Sequence, residues 1–567
     1  MKSWIVCLFY VVVISTASCA LAAPPAGLRF EIRFPAAAHA GPITGRAFVI
    51  ISRDNSDEPR FQAGARYMGS PFFGVDVEQL QPESAATIDG GTLGYPLRSL
   101  GELPAGDYYV QAFVNIYTQF HRADGHTIWA HMDQWEGQSM FSSPGNLCSE
   151  VQKIHLDPQG SVVKLEASKV IPPIVVPADT EWVKHIKLRS ELLTKFWGQP
   201  IYLGAVVLLP RDYDKHPDVR YPVDYEQDHF RLSAPYHFRL EPPTAQAGTI
   251  LAMREGEGYQ LFKDWTSDNF PRMLMVNFLH PTPYFDDSYA VNSANNGPYG
   301  DAIMTELIPY IETHFRIIRQ PYARVLSGGS TGGWESLALQ LQHSAFFGGA
   351  WVYYPDPIDF RRWVMANVYE DKNIFYAPAA TVATPGTTDW QRVFRPWIRL
   401  PDGQALVNFQ QESQLEDALG SHGRSGEQND IWEAVYGPVG ADGYPKPLFD
   451  KRTGDIDKEV ASYMRDHGYD LRYYMEKNWK ELGPNLVGKL HFYTGDMDHY
   501  YLNLAVYLTE DSLKTSKDPY YAGSFEYGRP MKGHGKRPTS TGDMIRQMAN
   551  EITKNAPAGE NTSSWRY

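Results

Sequence analysis

The stretch "RVLSGGSTGGWESLALQ", residues 324–340, decides how this chain is read. "RVLSGG" has the apolar and small-residue character of a buried strand, and "GWESLALQ" carries a helical apolar stripe. Ser330 falls at their junction, between Gly328 and Gly332, in the pattern G-x-S-x-G. In a chain with 47 glycines that pattern alone means little, so its place between a strand and a helix carries the argument. A hydroxyl on such a turn sits on strained backbone and needs neighbours without bulk. The helix N-terminus also aims amides at whatever the serine binds. Gly328, Ser330 and Gly332 therefore read as a nucleophile elbow.

The surrounding chain repeats the alternation. "PIYLGAVVLLP", "YPVDYEQ", "RMLMVNFLHP", "GGAWVYYP" and "GKLHFYTGD" are apolar runs separated by helical segments. That is the pattern of a mostly parallel sheet covered on both faces, so the fold class is α/β. "DAIMTELIPYIETHFRI" places Ile303, Leu307, Ile308, Ile311 and Phe315 on one helical face, and Pro309 should kink it. This region is expected over residues 184–567, with a large insertion at about 357–486. The insertion is longer than one crossover needs and rich in aromatics, among them Trp363, Trp390, Trp397, Trp432 and Tyr436. Most of these should form its own core, and a few should line an acyl or sugar pocket by stacking.

Upstream, "RFEIRF", "GRAFVIIS", "DYYVQAFVNIY" and "SVVKLEA" are short β-type runs bounded by turn residues, so residues 23–170 read as an all-β, sandwich-like domain. The proline-rich residues 171–183 read as a linker. Residues 1–22 read as a signal peptide: Lys2, an apolar run too short to stay in a bilayer, then small residues for cleavage. This implies secretion or a periplasmic location, with lipid anchoring at Cys19 as the minor alternative. Cleavage leaves Cys148 as the sole thiol, so no internal disulfide can form and stability must come from packing. The net charge of −14, with no basic patch, argues against nucleic acid or an anionic membrane as partner. No further stretch is long and apolar enough for stable membrane insertion.

The pieces "RYPVDY", "MVNFLHP", "ELIPYIETHFR", "SGGSTGGWESLAL", "YTGDMDHYYLN" and "KGHG" together resemble an esterase family of α/β-hydrolases. That family contains esterase D (S-formylglutathione hydrolase), feruloyl and acetylxylan esterases, siderophore esterases and mycolyltransferases. The resemblance covers roughly residues 200–540 and leaves the N-terminal region outside it. It implies a doubly covered α/β-hydrolase sheet and a serine esterase working without a cofactor or metal.

A serine hydroxyl needs an imidazole to take its proton and a carboxylate to hold that imidazole, in the chain order Ser, acid, His. The family's G-x-x-D maps onto Gly495 and Asp498, with Asp496 as rival and Asp356 in "YYPDPIDF" as a further rival. A structural reading of Asp496 and Asp498 has them capping the next helix or binding a cation. His534, between Gly533 and Gly535, has no evident packing role and reads as the base, whereas His499 reads as structural. One oxyanion amide should come from Thr331. The other, by resemblance, comes from His229 or Phe230, of which Phe230 is the expected donor. Here the chain departs from the family, because "YPVDYEQDHF" carries Asp224, Glu226 and Asp228 where apolar residues are usual.

The resulting expectation is a serine carboxylesterase acting on a small-molecule or carbohydrate-linked ester. An acyltransferase with the same triad and a non-catalytic binding protein on the same scaffold are the alternatives, the charged strand favouring the latter. A metal site from His121, His126, His131 and Asp133 matches no strong ligand spacing.

Overall fold

A computed structural model describes residues 27–64, 69–160, 162–377 and 393–567. The signal-peptide reading, Cys19 and Trp390 lie outside them.

The centre is an eight-stranded sheet: β1 (Val183–Ser190), β2 (Ile201–Leu208), β3 (Val223–Gln227), β4 (Leu274–Leu279), β5 (Arg324–Gly329), β6 (Gly349–Tyr353), β7 (Leu490–Gly495) and β8 (Ser524–Gly528). Their spatial order is β1-β2-β4-β3-β5-β6-β7-β8. β2 runs antiparallel to both β1 and β4, and every other pairing is parallel. β3, β4 and β6 are buried along their whole length; β4 and β6 are largely apolar or aromatic as a doubly covered sheet requires, whereas β3 buries Asp224 and Glu226. The register sets Gln227 beside Gly328, Gly329 beside Tyr353, and Gly495 beside Gly528. The carboxyl ends of β3, β5, β6, β7 and β8 therefore open on one edge, where open α/β sheets bind ligands.

The helix expected to kink at Pro309 is interrupted just before it. Helical turns Tyr299–Ala302 and Ile308–His314 flank a π-helical stretch, Ile303–Leu307. The looser turn accommodates the carbonyl that the proline ring would strike. Ile303, Leu307, Ile308 and Ile311 are buried as the stripe requires.

Among the described residues the N-terminal strands form two larger sheets and a two-stranded hairpin, Thr118–His121 with Thr127–Ala130. In one, Arg29–Arg33 lies between Val162–Glu166 and Ala86–Ile88; the seven-stranded other is built around Ile43–Ser52 and Gly106–Ile116. Phe30, Ile32, Val49, Ile51 and Val110 belong to one core cluster of this region. The Ile43–Ser52 strand is buried at every position. Its second set of side chains, Phe48 and Ile50, packs with Phe72 and Phe113 against Leu415, Ala418 and Leu419 of the insertion helix Phe409–Leu419. Arg46 reinforces this seam by donating to the carbonyls of Asp417 and Ala418. Between Val170 and Val183 the chain has no regular secondary structure. Among the described residues no helix is long and apolar enough to cross a membrane.

Candidate active site

Ser330 lies between β5 and helix α1 (Thr331–Gln342) with φ 58° and ψ −123°. A non-glycine residue in that region stores roughly 1–3 kcal/mol, and such strain concentrates at functional turns. The turn also demands close backbone approach. A Cβ on Gly332 would lie 2.0 Å from the Gln227 carbonyl oxygen, and one on Gly328 would lie 2.2 Å from the Gly332 carbonyl oxygen. Neither position admits a side chain, so the end of β3, the end of β5 and the start of α1 pack backbone to backbone. Thr331 opens α1, so its amide has no acceptor within the helix.

The ends of β7 and β8 supply the candidate acid and imidazole. Asp498 follows β7 and is fully buried; its Oδ2 lies 2.7 Å from His534 Nδ1. Its Oδ1 accepts from the amides of Tyr500 and Leu502 at 2.9 and 3.3 Å, so the carboxylate also organises the start of the chain that follows. Tyr354 and Tyr500 pack edge-on against the imidazole, with ring centres 4.8 and 5.0 Å away. Burial pulls the His534 pKa down, but the charge of Asp498 and its hydrogen bond, aided by Asp356, raise it above the ordinary histidine value. His534 Nε2 makes no hydrogen bond among the described residues. The rival Asp496 accepts from the Lys532 amide at 3.1 Å and so tethers the loop that carries His534. A Cβ on Gly533 would lie 2.4 Å from His499 Nε2, so the loop passes close over the His499 ring and a side chain there would displace it.

The third acid, Asp356, is placed against the serine. It is almost fully buried, and its Oδ1 accepts from the Ser330 hydroxyl at 3.2 Å. Its Oδ2 accepts from the hydroxyls of Tyr289 at 2.6 Å and Thr331 at 3.1 Å, and from Gln428 Nε2 and Trp432 Nε1 at 3.3 Å each. Burial raises the Asp356 pKa against the lowering effect of these donors. Among the described residues no hydrogen bond joins Ser330 to His534.

Tyr289, Gln428 and Trp432 were absent from the sequence-derived site. Trp432 and Gln428 lie on helix α2 (Gln428–Tyr436) of the insertion. The aromatic richness of the insertion pointed toward Trp432, whose indole donates a hydrogen bond to Asp356. Trp363, Trp397 and Tyr436 are buried in the hydrophobic core.

The charged end of β3 has a structural account. Asp224 accepts from the Tyr236 and Ser327 hydroxyls at 2.7 and 2.8 Å, and burial raises its pKa to about 7. Glu226 pairs with Arg231 at 2.7 Å and accepts from the Tyr236 amide. Asp228 pairs with Arg231 and accepts from the His229 amide. The Phe230 amide, expected to face an oxyanion, donates to Asp287 Oδ2 at 3.2 Å. His229 Nδ1 lies 3.0 Å from Asp286 Oδ1 and 3.5 Å from Asp287 Oδ2.

Two groups among the described residues bring metal-ligand atoms within 4.8 Å of one another: His229, Asp286 and Asp287; and His131, Asp133 and Glu136. His121 and His126 do not join the second group; His121 bonds Thr127 and His126 faces Asp124.

No family model and no curated protein matches this chain. Among solved structures, a ferulic acid esterase is 13% identical over 66% of this chain and 97% of its own, with a TM-score of 0.35. An S-formylglutathione hydrolase from Agrobacterium tumefaciens is 12% identical over 66% and 96%, with a TM-score of 0.30. An enterobactin esterase from Shigella flexneri is 11% identical over 93% of both chains, with a TM-score of 0.30.

Proposed function

We propose that this chain is a secreted serine carboxylesterase of α/β-hydrolase type, with an all-β, sandwich-like domain ahead of the catalytic one. The carrying observation is the 2.7 Å pairing of His534 with Asp498 on the sheet edge that also presents Ser330. Serine after β5, acid after β7 and histidine after β8 also follow the chain order of an α/β-hydrolase triad.

In the proposed reaction the Ser330 hydroxyl rotates from Asp356 to the free Nε2 of His534. Hydrogen bonds of this kind commonly tighten only once substrate is bound. His534 takes the proton as Ser330 Oγ attacks the ester carbonyl, and Asp498 holds the ring and stabilises the imidazolium. The Thr331 amide at the start of α1 receives charge developing on the carbonyl oxygen. His534 protonates the departing alcohol, and water then releases the acid by the reverse path. A carbohydrate-linked or aryl ester is the proposed substrate class.

The bond from Ser330 to Asp356 favours a second reading, a non-catalytic binding protein whose serine is held away from the base. Fluorophosphonate labelling and p-nitrophenyl acetate hydrolysis separate the two. The esterase reading expects covalent labelling and turnover, both abolished by Ser330→Ala; an unlabelled, inactive but folded wild type overturns it.

A further inference from the structure

The loop after β4 and the first turns of α1 bury three carboxyl groups, Asp286, Asp287 and Glu335, and one imidazole, His229, pairs with the first two. Asp286, Asp287 and Glu335 have side-chain exposures of 1%, 0% and 0%. Asp286 Oδ2, Asp287 Oδ1 and both Glu335 carboxylate oxygens have no hydrogen-bond partner. Leaving such groups unpaired away from water is among the costliest arrangements in a protein interior. His229 reaches only Asp286 Oδ1 and Asp287 Oδ2, and the other nearby basic side chains do not reach the remaining oxygens. Arg231 is engaged by Glu226 and Asp228. His280 Nδ1 accepts from the Ser288 amide at 3.1 Å, which leaves the ring's proton on Nε2. That Nε2 faces Glu335 Oε1 at 3.9 Å, too far for a hydrogen bond.

The geometry points to a divalent-cation site formed by His229 Nδ1, Asp286 and Asp287, with Glu335 behind it as a third carboxylate or a water-bridged neighbour. The 3.0 and 3.5 Å separations between His229 Nδ1 and the two carboxylate oxygens suit ligand atoms each about 2.0–2.2 Å from a shared ion. One imidazole with two or three carboxylates matches a zinc- or manganese-class ion better than calcium, which takes six to eight oxygens. The side chain of His229 is 37% exposed, which provides an entry path and an open face for water or substrate.

The other cluster of this kind is closed. Asp133 accepts from the Trp135 and Gly137 amides, and Glu136 accepts from the Gln134 amide and pairs with His131. Its carboxylates are spent on shaping their own turn.

An ion at the first cluster would place positive charge beside Asp287, which holds the Phe230 amide. It would thus reverse the local sign beside that amide. Metal binding itself does not rest on the proposed ester hydrolysis.

The test uses the full chain, stripped with EDTA, dialysed and titrated calorimetrically with zinc, manganese and calcium chloride, alongside elemental analysis and thermal melting. One equivalent of zinc or manganese should bind and raise the melting temperature. His229→Gln and Asp287→Asn should each weaken binding by more than the roughly 10- to 100-fold cost of disturbing an outer-sphere partner. His131→Gln should leave binding intact. If Asp287→Asn does not fold, His229→Gln carries the test from its half-exposed position. Three results overturn the site: no bound zinc or manganese with melting indifferent to both, which would mean carboxyl groups kept protonated; a response to calcium alone; or binding lost in His131→Gln and retained in His229→Gln.

Discussion

Asp356 and Asp498 follow neighbouring strands, β6 and β7, on the same sheet edge, and both are buried. Their partners differ. Asp498 gives one oxygen to two backbone amides and the other to His534. Asp356 collects side-chain donors alone: Ser330, Tyr289, Thr331, Gln428 and Trp432. A carboxylate fixed by its own backbone and facing an imidazole is built to orient that ring and stabilise its cation. A carboxylate surrounded by hydroxyls, an amide and an indole from three separate segments is built to assemble a pocket wall and hold the Ser330 hydroxyl. Burial alone would not have told these roles apart; the donor set does.

The comparison can be broken most severely at the base. His534→Ala should lower kcat/KM for a p-nitrophenyl ester by about 10⁴-fold or more while melting stays close to wild type. A loss below tenfold would move the base elsewhere. Asp498→Asn comes next, at about 10³- to 10⁴-fold in kcat, because the amide cannot stabilise the imidazolium and favours the wrong tautomer.

The pH profile sharpens the same point. In the proposed reaction His534 acts as base only when neutral, and Asp498 favours its charged form. Activity should therefore fall as pH drops through a value above the usual histidine pKa of about 6.5. In Asp498→Asn that limb should move down, and an unmoved limb would remove Asp498 from the pairing. For stability the sign is opposite: the ion pair contributes fully below about pH 6.5 and its contribution is lost as pH rises through the raised value.

The smallest effect is expected at Asp356→Asn. An asparagine can keep its oxygen toward Tyr289, Thr331 and Trp432 and turn its amide toward Ser330, so that Ser330 accepts instead of donating. Activity should stay within about tenfold of wild type, a change of about 1.4 kcal/mol in the barrier, with the acid limb slightly lowered. A collapse comparable to that of Asp498→Asn would make Asp356 the working acid and invert the comparison.

Much of the site was legible because its requirements are local. The demand for bare backbone at Gly328 and Gly332 is written into the same few residues that make the turn. His534 stood out because glycines flank it in a loop. Asp356 was noticed as an acid after a strand, but its role was not readable, since its donors on α2 come from beyond 70 residues downstream. The expected Phe230 donor was misleading for a related reason: Asp287, 57 residues later, engages that amide. The charged β3 looked like a departure from function, yet Arg231, Tyr236 and Ser327 satisfy most of its charge. The N-terminal strands were legible as β structure. The helix Phe409–Leu419 that covers their second face was not, because an apolar strand face does not specify what buries it.

By itself the sequence determined the alternation of strand and helix, the strained turn at Ser330 and the order in which serine, acid and imidazole arrive. These follow from side-chain periodicity and backbone sterics, which act over a few residues. Only the tertiary structure decided which carboxylate meets the imidazole, which meets the serine, and which are left without a partner. Hydrogen bonds and buried charges are settled by where distant segments pack, and a linear pattern does not encode that distance.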